Sequence, residues 1–172
     1  MIERVHPLAA LAAASPDCAA VQLTALPPAT RLVIRDGAVA IASIGMDLPA
    51  PCRAAISGDG ALLWLGPEEF LLLLPGGEIF DRIGAAGVVD ISHRNTAISV
   101  SGPRATYTIN AFCALDLHPA AFPINMCTRT LLGKAEIILW RTATDTFRIE
   151  AARSFAPYVW SCLEEARREF LG

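Results

Sequence analysis

The sequence predicts an α+β fold, a mostly antiparallel sheet arrangement with helices packed on one face. Three observations lead there. Short apolar runs of strand length recur between Gly, Pro and Asp breakers. Strand-rich blocks are each followed by a helix-like segment, the order of an α+β chain rather than of alternating βαβ units. Finally, 172 residues suffice for one domain that buries roughly 70% of its unfolded surface without a disulfide or a metal.

Residues 1–30 are Ala- and Pro-rich and weakly patterned, and read as an N-terminal arm. Leu8 to Ala14 reads as a short docking helix started by Pro7; the run is at the short limit for a signal peptide, and Glu3 accompanies Arg4. Residues 31–172 then form one α+β domain, with 31–112 and 113–172 as two candidate similar halves.

Arg31 to Arg35 is a short strand, Asp36-Gly37 a hairpin turn signal, and 38–43 the returning strand. Ala61 to Leu65 and Glu68 to Leu74 are continuous apolar runs bounded by Gly58-Asp59-Gly60, Gly66-Pro67 and Pro75-Gly76-Gly77. Both are too short and too tightly bounded for helices, so they read as central strands covered on both faces. A weak helix is expected over 78–86 and a strand over 87–91.

From Thr96 to Ser101 the side chains alternate, with Ile98 and Val100 on one face. Gly102-Pro103 should open a helix, with Pro103 at its first position and Ala105, Ile109 and Phe112 as its stripe. Residues 114–125 are a loop. Met126 to Leu132 and Ala135 to Arg141 make a hairpin around Gly133-Lys134, and Thr146 to Ala151 a further strand. The last helix is expected to be capped by Ser154. It has Pro157 in its first turn, a stripe of Phe155, Val159, Cys162, Leu163, Ala166 and Phe170, and a Glu164–Arg168 pair.

Composition narrows the function. The net charge is −3 and 18% of residues are charged, so no basic stripe tracks a phosphate backbone and nucleic acid is not an expected partner. No apolar run approaches the ~20 residues of a membrane helix, so no membrane partner is expected; cysteines read as free thiols point to a reducing cytoplasm. Apolar residues make up 53%, with a mean hydropathy of +0.44. Two readings stay open: an Ala-rich composition, or apolar surface that is covered by a partner and self-associates without one.

Five scattered cysteines with no C-x-x-C pair read as free, mostly buried thiols. Dinucleotide, P-loop and nucleophile-elbow motifs are not found. Cys113, His118 and Cys127 match no zinc spacing, and a thiol pair of His93 with Cys113 has only chance support. Asp116 is expected to bond to local backbone. The three tryptophans, Trp64, Trp140 and Trp160, are core or interface candidates. Catalytic, cofactor-binding and metal residues are therefore assigned to none of these positions.

Several segments form a recognisable ordered set. They are Gly-Asp-Gly-Ala-Leu-Leu-Trp-Leu-Gly-Pro-Glu-Glu-Phe (58–70), Val-Asp-Ile-Ser-His-Arg (89–94) and Ser-Val-Ser-Gly-Pro-Arg-Ala (99–105). Cys-Ala-Leu-Asp-Leu-His-Pro-Ala-Ala-Phe-Pro (113–123), Cys-Thr-Arg-Thr-Leu-Leu (127–132), Ile-Leu-Trp-Arg (138–141) and Arg-Ser-Phe-Ala-Pro-Tyr-Val-Trp (153–160) follow. In that order they resemble the gamma subunits of heterotetrameric sarcosine oxidases. More distantly, the chain is similar to the folate-binding aminomethyltransferase fold of the glycine cleavage system. The resemblance implies a small structural subunit, with alpha, beta and delta chains as partners. Those chains would carry FAD, FMN, NAD and tetrahydrofolate, and this chain no cofactor. It implies an assembly that oxidatively demethylates sarcosine to glycine. The alternatives are a stand-alone folate-binding or aminomethyltransferase-like protein and a free-standing thiol enzyme.

Overall fold

The computed structural model describes residues 6–35, 41, 45–75 and 87–171. Ten strands pair antiparallel throughout: β1 (Gln22–Ala25), β2 (Thr30–Arg35), β3 (Ala54–Ser57), β4 (Gly60–Gly66), β5 (Glu69–Leu74), β6 (Val88–Asp90), β7 (Asn95–Ser101), β8 (Cys127–Leu132), β9 (Ala135–Ala143) and β10 (Thr146–Ala152). They form two five-stranded sheets, the first ordered β1-β7-β10-β9-β8 and the second β3-β4-β5-β2-β6. Among the described residues the helices with both ends defined are α1 (Ala9–Ala14), α2 (Ala105–Asn110) and α3 (Ala156–Arg167), the last followed by a 3₁₀ turn.

The pleat of the first sheet decides the layering. Leu23, Ile98, Val100, Ile137, Leu139, Phe147 and Ile149 point to one side and are buried there against Leu8 of the N-terminal segment, Ile109 of α2 and Val159, Trp160 and Leu163 of α3. Each such side chain contributes roughly 1.5–3 kcal/mol on burial. The other side of this sheet lies on the second sheet, where Cys127, Ile138 and Trp140 meet Leu63, Leu65, Leu71 and Leu73. Leu32, Ile34, Leu62, Phe70 and Leu72 form a separate cluster on the far side of the second sheet with Ile41 and Met46. So β4 and β5 are buried on both faces, which is why their sequences run apolar without alternation. The sheets are tied along one margin by backbone: Ala54 N–H donates to Asn125 O at 2.8 Å and Cys127 N–H to Cys52 O at 3.0 Å.

Turn chemistry fixes the β3–β4 register. Ser57 faces Gly60, leaving Gly58 and Asp59 as a two-residue loop, and Gly58 supplies the positive φ of +55° that its first position needs. The Gly133-Lys134 turn closes the β8–β9 hairpin as expected, with Leu132 facing Ala135.

Several local expectations are corrected. Within residues 1–30 the expected short helix forms as α1, but residues 22–25 also form an edge strand, β1, paired with β7. The chain passes between the sheets twice, between β1 and β2 and again between β6 and β7. Pro103 precedes α2 instead of starting it. Gly102, at φ +117°, and Arg104 hold the chain against Ala20 O, and the helix begins only at Ala105. The N-cap of α3 is Phe155, and Ser154 makes no cap; Pro157 does sit in the first turn. Glu164 pairs with Arg167 and Glu165 with Arg168, because Arg167 is fully buried and turns toward the N-terminal segment. There it donates to Val21 O at 3.3 Å and Pro16 O at 2.8 Å. Of the expected strand 38–43 only Ile41 is among the described residues, and it is helical; the expected helix 78–86 lies outside them.

Candidate functional site

Alternation along β9 and β10 puts a second set of side chains on the face opposite the helices. Arg148 stands across from both Trp140 and Ser99, and Glu150 across from both Ile138 and Ala97. This face looks at the second sheet, so its charges are buried. Glu150 and Arg31 of β2 are 1% and 2% exposed at the side chain, and they join the two sheets by an ion pair of 2.6 Å from Nε to Oε2. Arg31 Nη2 adds a 3.3 Å bond to Oε1, and Nη1 donates to Ala29 O at 3.0 Å.

Arg148 makes the arrangement a triad. Its Nε donates to Glu150 Oε1 at 2.8 Å. Its Nη2 lies 2.7 Å from the same oxygen, at an angle that makes no hydrogen bond, and is buried. Two guanidinium charges against one carboxylate leave one positive charge in the layer. Such a cluster adds little net stability over an apolar packing, but removing one member of a buried pair costs roughly 3–5 kcal/mol.

Arg148 also borders a cleft of about 420 Å³ where the sheets diverge. Its walls include Trp140, Ser99 and Thr142 from the first sheet and Ala61, Leu73 and Ile56 from the second. The Trp140 indole N–H is buried without a hydrogen-bond partner. A smaller hollow of about 150 Å³ lies at Arg31, His6, Ser92, His93, Asn95 and Arg153. There burial depresses the His6 imidazole below its usual range, a backbone bond to Leu26 opposes the shift, and Arg153 and Arg31 add to it. Asp90 is held below the usual carboxylate range by hydrogen bonds from Ser92.

The residues singled out from the sequence are not brought together. Cys113 lies in the core under the helices, while Cys127 lies between the sheets, on the opposite face of the first sheet. His118 is exposed, accepting from Ala120 N–H, and Asp116 Oδ1 accepts from His118 N–H at 2.9 Å, the local bond expected of it. His93 sits in the exposed loop after β6, away from Cys113. Among the described residues no group of three metal-ligating side chains forms. Cys127 is a poor nucleophile, since burial pushes its thiol up to about 12. Sequence reasoning missed Arg31, Glu150 and Arg148. The available signal was two opposite charges two residues apart in a strand whose other neighbours are apolar.

Comparison with known proteins gives a consistent result. A profile of the family described as sarcosine oxidase, gamma subunit family, matches residues 33–169. A sarcosine oxidase subunit gamma of Corynebacterium sp. (strain P-1) is 34% identical over 165 residues, spanning 87% of this chain and 81% of the relative. One from Arthrobacter sp. is 33% identical over 138 residues, 75% of this chain and 68% of the relative. A chain of the heterotetrameric sarcosine oxidase from Corynebacterium sp. U-96, solved with pyrrole 2-carboxylate, superposes with a TM-score of 0.88 at 31% identity, covering 98% of this chain and 97% of that one. The aminomethyltransferase T of the glycine cleavage system from Bartonella henselae superposes at 0.63 with 15% identity, covering 85% of this chain and 46% of that one, a likeness of fold.

Proposed function

This chain belongs to the sarcosine oxidase gamma subunit family, and from that premise we propose that it is the small structural subunit of a heterotetrameric sarcosine oxidase. The observation that carries the reading is the superposition over 98% of the chain on a chain of such an oxidase. In this reading the assembly demethylates sarcosine oxidatively to glycine in the cytoplasm. Alpha, beta and delta partners hold FAD, FMN, NAD and tetrahydrofolate. The contribution of this chain is packing and assembly. The local geometry supports that role, because its buried charges bind one sheet to the other and its loop carboxylates Asp90 and Asp116 hold backbone turns.

Native co-purification tests it. A tagged chain expressed in its host should recover a yellow complex with larger polypeptides that turns over sarcosine and produces peroxide. A colourless protein that elutes alone would overturn the reading. The fold shared with the aminomethyltransferase supports one alternative, a stand-alone folate-binding protein of one-carbon metabolism. That alternative expects tetrahydrofolate to bind the isolated chain, and a calorimetric titration without heat removes it.

A further inference from the structure

We propose that the cleft between the sheets is the docking site for an extended segment of a partner subunit that presents a carboxylate beside an apolar side chain. The proposal rests on the reading of the chain as an assembly subunit. Charge comes first. The triad keeps one uncompensated positive charge, and it resides on Arg148. Arg31 uses three of its nitrogens on Glu150 and Ala29, whereas Arg148 has one well-formed bond and a buried Nη2 without any. Among the described residues Glu150 is the one carboxylate within 4.0 Å of Arg148; Asp59 lines the same cleft without pairing to it. A largely buried guanidinium with spare donors calls for a further acceptor.

Shape and backbone define the rest of the occupant. The cleft is walled by apolar side chains, and its rim carries Ile56, 55% exposed on β3. That strand is an edge of the second sheet. In its register Ser57 and Gly60 form the hydrogen-bonded pair that closes the turn, so the Ile56–Ala61 pair is a non-bonded one. The N–H and C=O of Ile56 therefore point out of the sheet, on the same side as Ala54 N–H, which bonds Asn125 O. An open edge beside an apolar cleft is the arrangement that strand addition uses: backbone bonds hold the segment and a side chain fills the pocket.

The test uses the assembly co-expressed with a tagged copy of this chain. Ile56→Asp and Arg148→Met should each lower recovery of the partner chains about tenfold or more. Tyr107→Asp, at an exposed position on the helix side, should leave it unchanged. Hydrogen exchange at residues 54–57 should slow in the assembly relative to the isolated chain. If the unaltered chain recovers no partners, the subunit reading itself has failed. If it recovers them and both variants do so equally, with unchanged exchange at 54–57, the docking proposal is wrong and the subunit reading stands. Slowed exchange with rising concentration of the isolated chain, accompanied by a dimer in sedimentation, would assign the cleft to a second copy and overturn the proposal too. So would slowing of the isolated chain by added tetrahydrofolate alone. Should Arg148→Met not fold, Ile56→Asp decides, because its side chain lies outside the core.

Discussion

The two faces of the first sheet are built from the same strands by opposite means. Toward the helices, β7, β9 and β10 present Ile98, Val100, Ile137, Leu139, Phe147 and Ile149, all buried and apolar. One residue along, the same strands present Ser99, Trp140, Arg148 and Glu150 to the second sheet. Apart from Arg141, whose buried guanidinium donates to Leu117 O and Phe122 O, the helix-side face is held by many small and separable contributions, so damage to its apolar side chains should be graded. The charged face is held by partners that are each required once the others are buried, so damage should depend on which partner is left behind.

The largest expected effect breaks that face open. Glu150→Ala leaves Arg31 and Arg148 facing each other without their acceptor and should cost about 3–5 kcal/mol in urea unfolding. A loss below about 1 kcal/mol would mean that water already solvates the triad, and the contrast between the faces would collapse. Next comes the triple variant Arg31→Met, Glu150→Leu, Arg148→Met. It should regain all of that loss, ending between neutral and roughly 1–4 kcal/mol more stable than the parent. On the apolar face Ile149→Val should cost only about 0.5–1.5 kcal/mol, independent of salt and pH.

A further effect, confined to alkaline pH, is a titration. Cys127 sits between the sheets with its thiol raised from the ordinary 9.0 to about 12. The unfolded thiol ionises near 9 and the folded one does not. Stability is therefore fully present below pH 9 and is lost as pH rises from 9 toward 12. Cys127→Ala should flatten that part of the pH profile as read by chemical denaturation. An unchanged slope would show that another group dominates the alkaline limb.

The parts of the fold legible in the sequence were those where one physical rule acted alone. The apolar runs of β4 and β5 and the Gly133-Lys134 turn needed nothing beyond their neighbours. Strand β1 was not legible: Gln22 to Ala25 offers one deeply buried side chain, Leu23, and is a strand because β7 lies beside it. The start of α2 was misplaced for a similar reason, since contact with Ala20, 82 positions before Gly102, sets it. The triad was hidden by the usual meaning of alternation. Charged residues at every second position of a strand signify solvent, and only the presence of a second sheet turns that face inward. The cleft follows from the same packing and has no sequence signature of its own.

Strand order has a consequence for the growing polypeptide. All five strands of the second sheet lie within residues 30–90 and so leave the ribosome before β7 to β10. The first sheet places β10 in its middle, between β7 and β9, and Arg167 then fastens residues 16–21 to α3. Strands β1 and β7 wait for a neighbour translated later. Until then Leu63, Leu71 and Leu73 lack the first-sheet residues that cover them, and Arg31 lacks its carboxylate. Translation speed between codons 91 and 152 therefore sets how long that sticky surface is open to the wrong company.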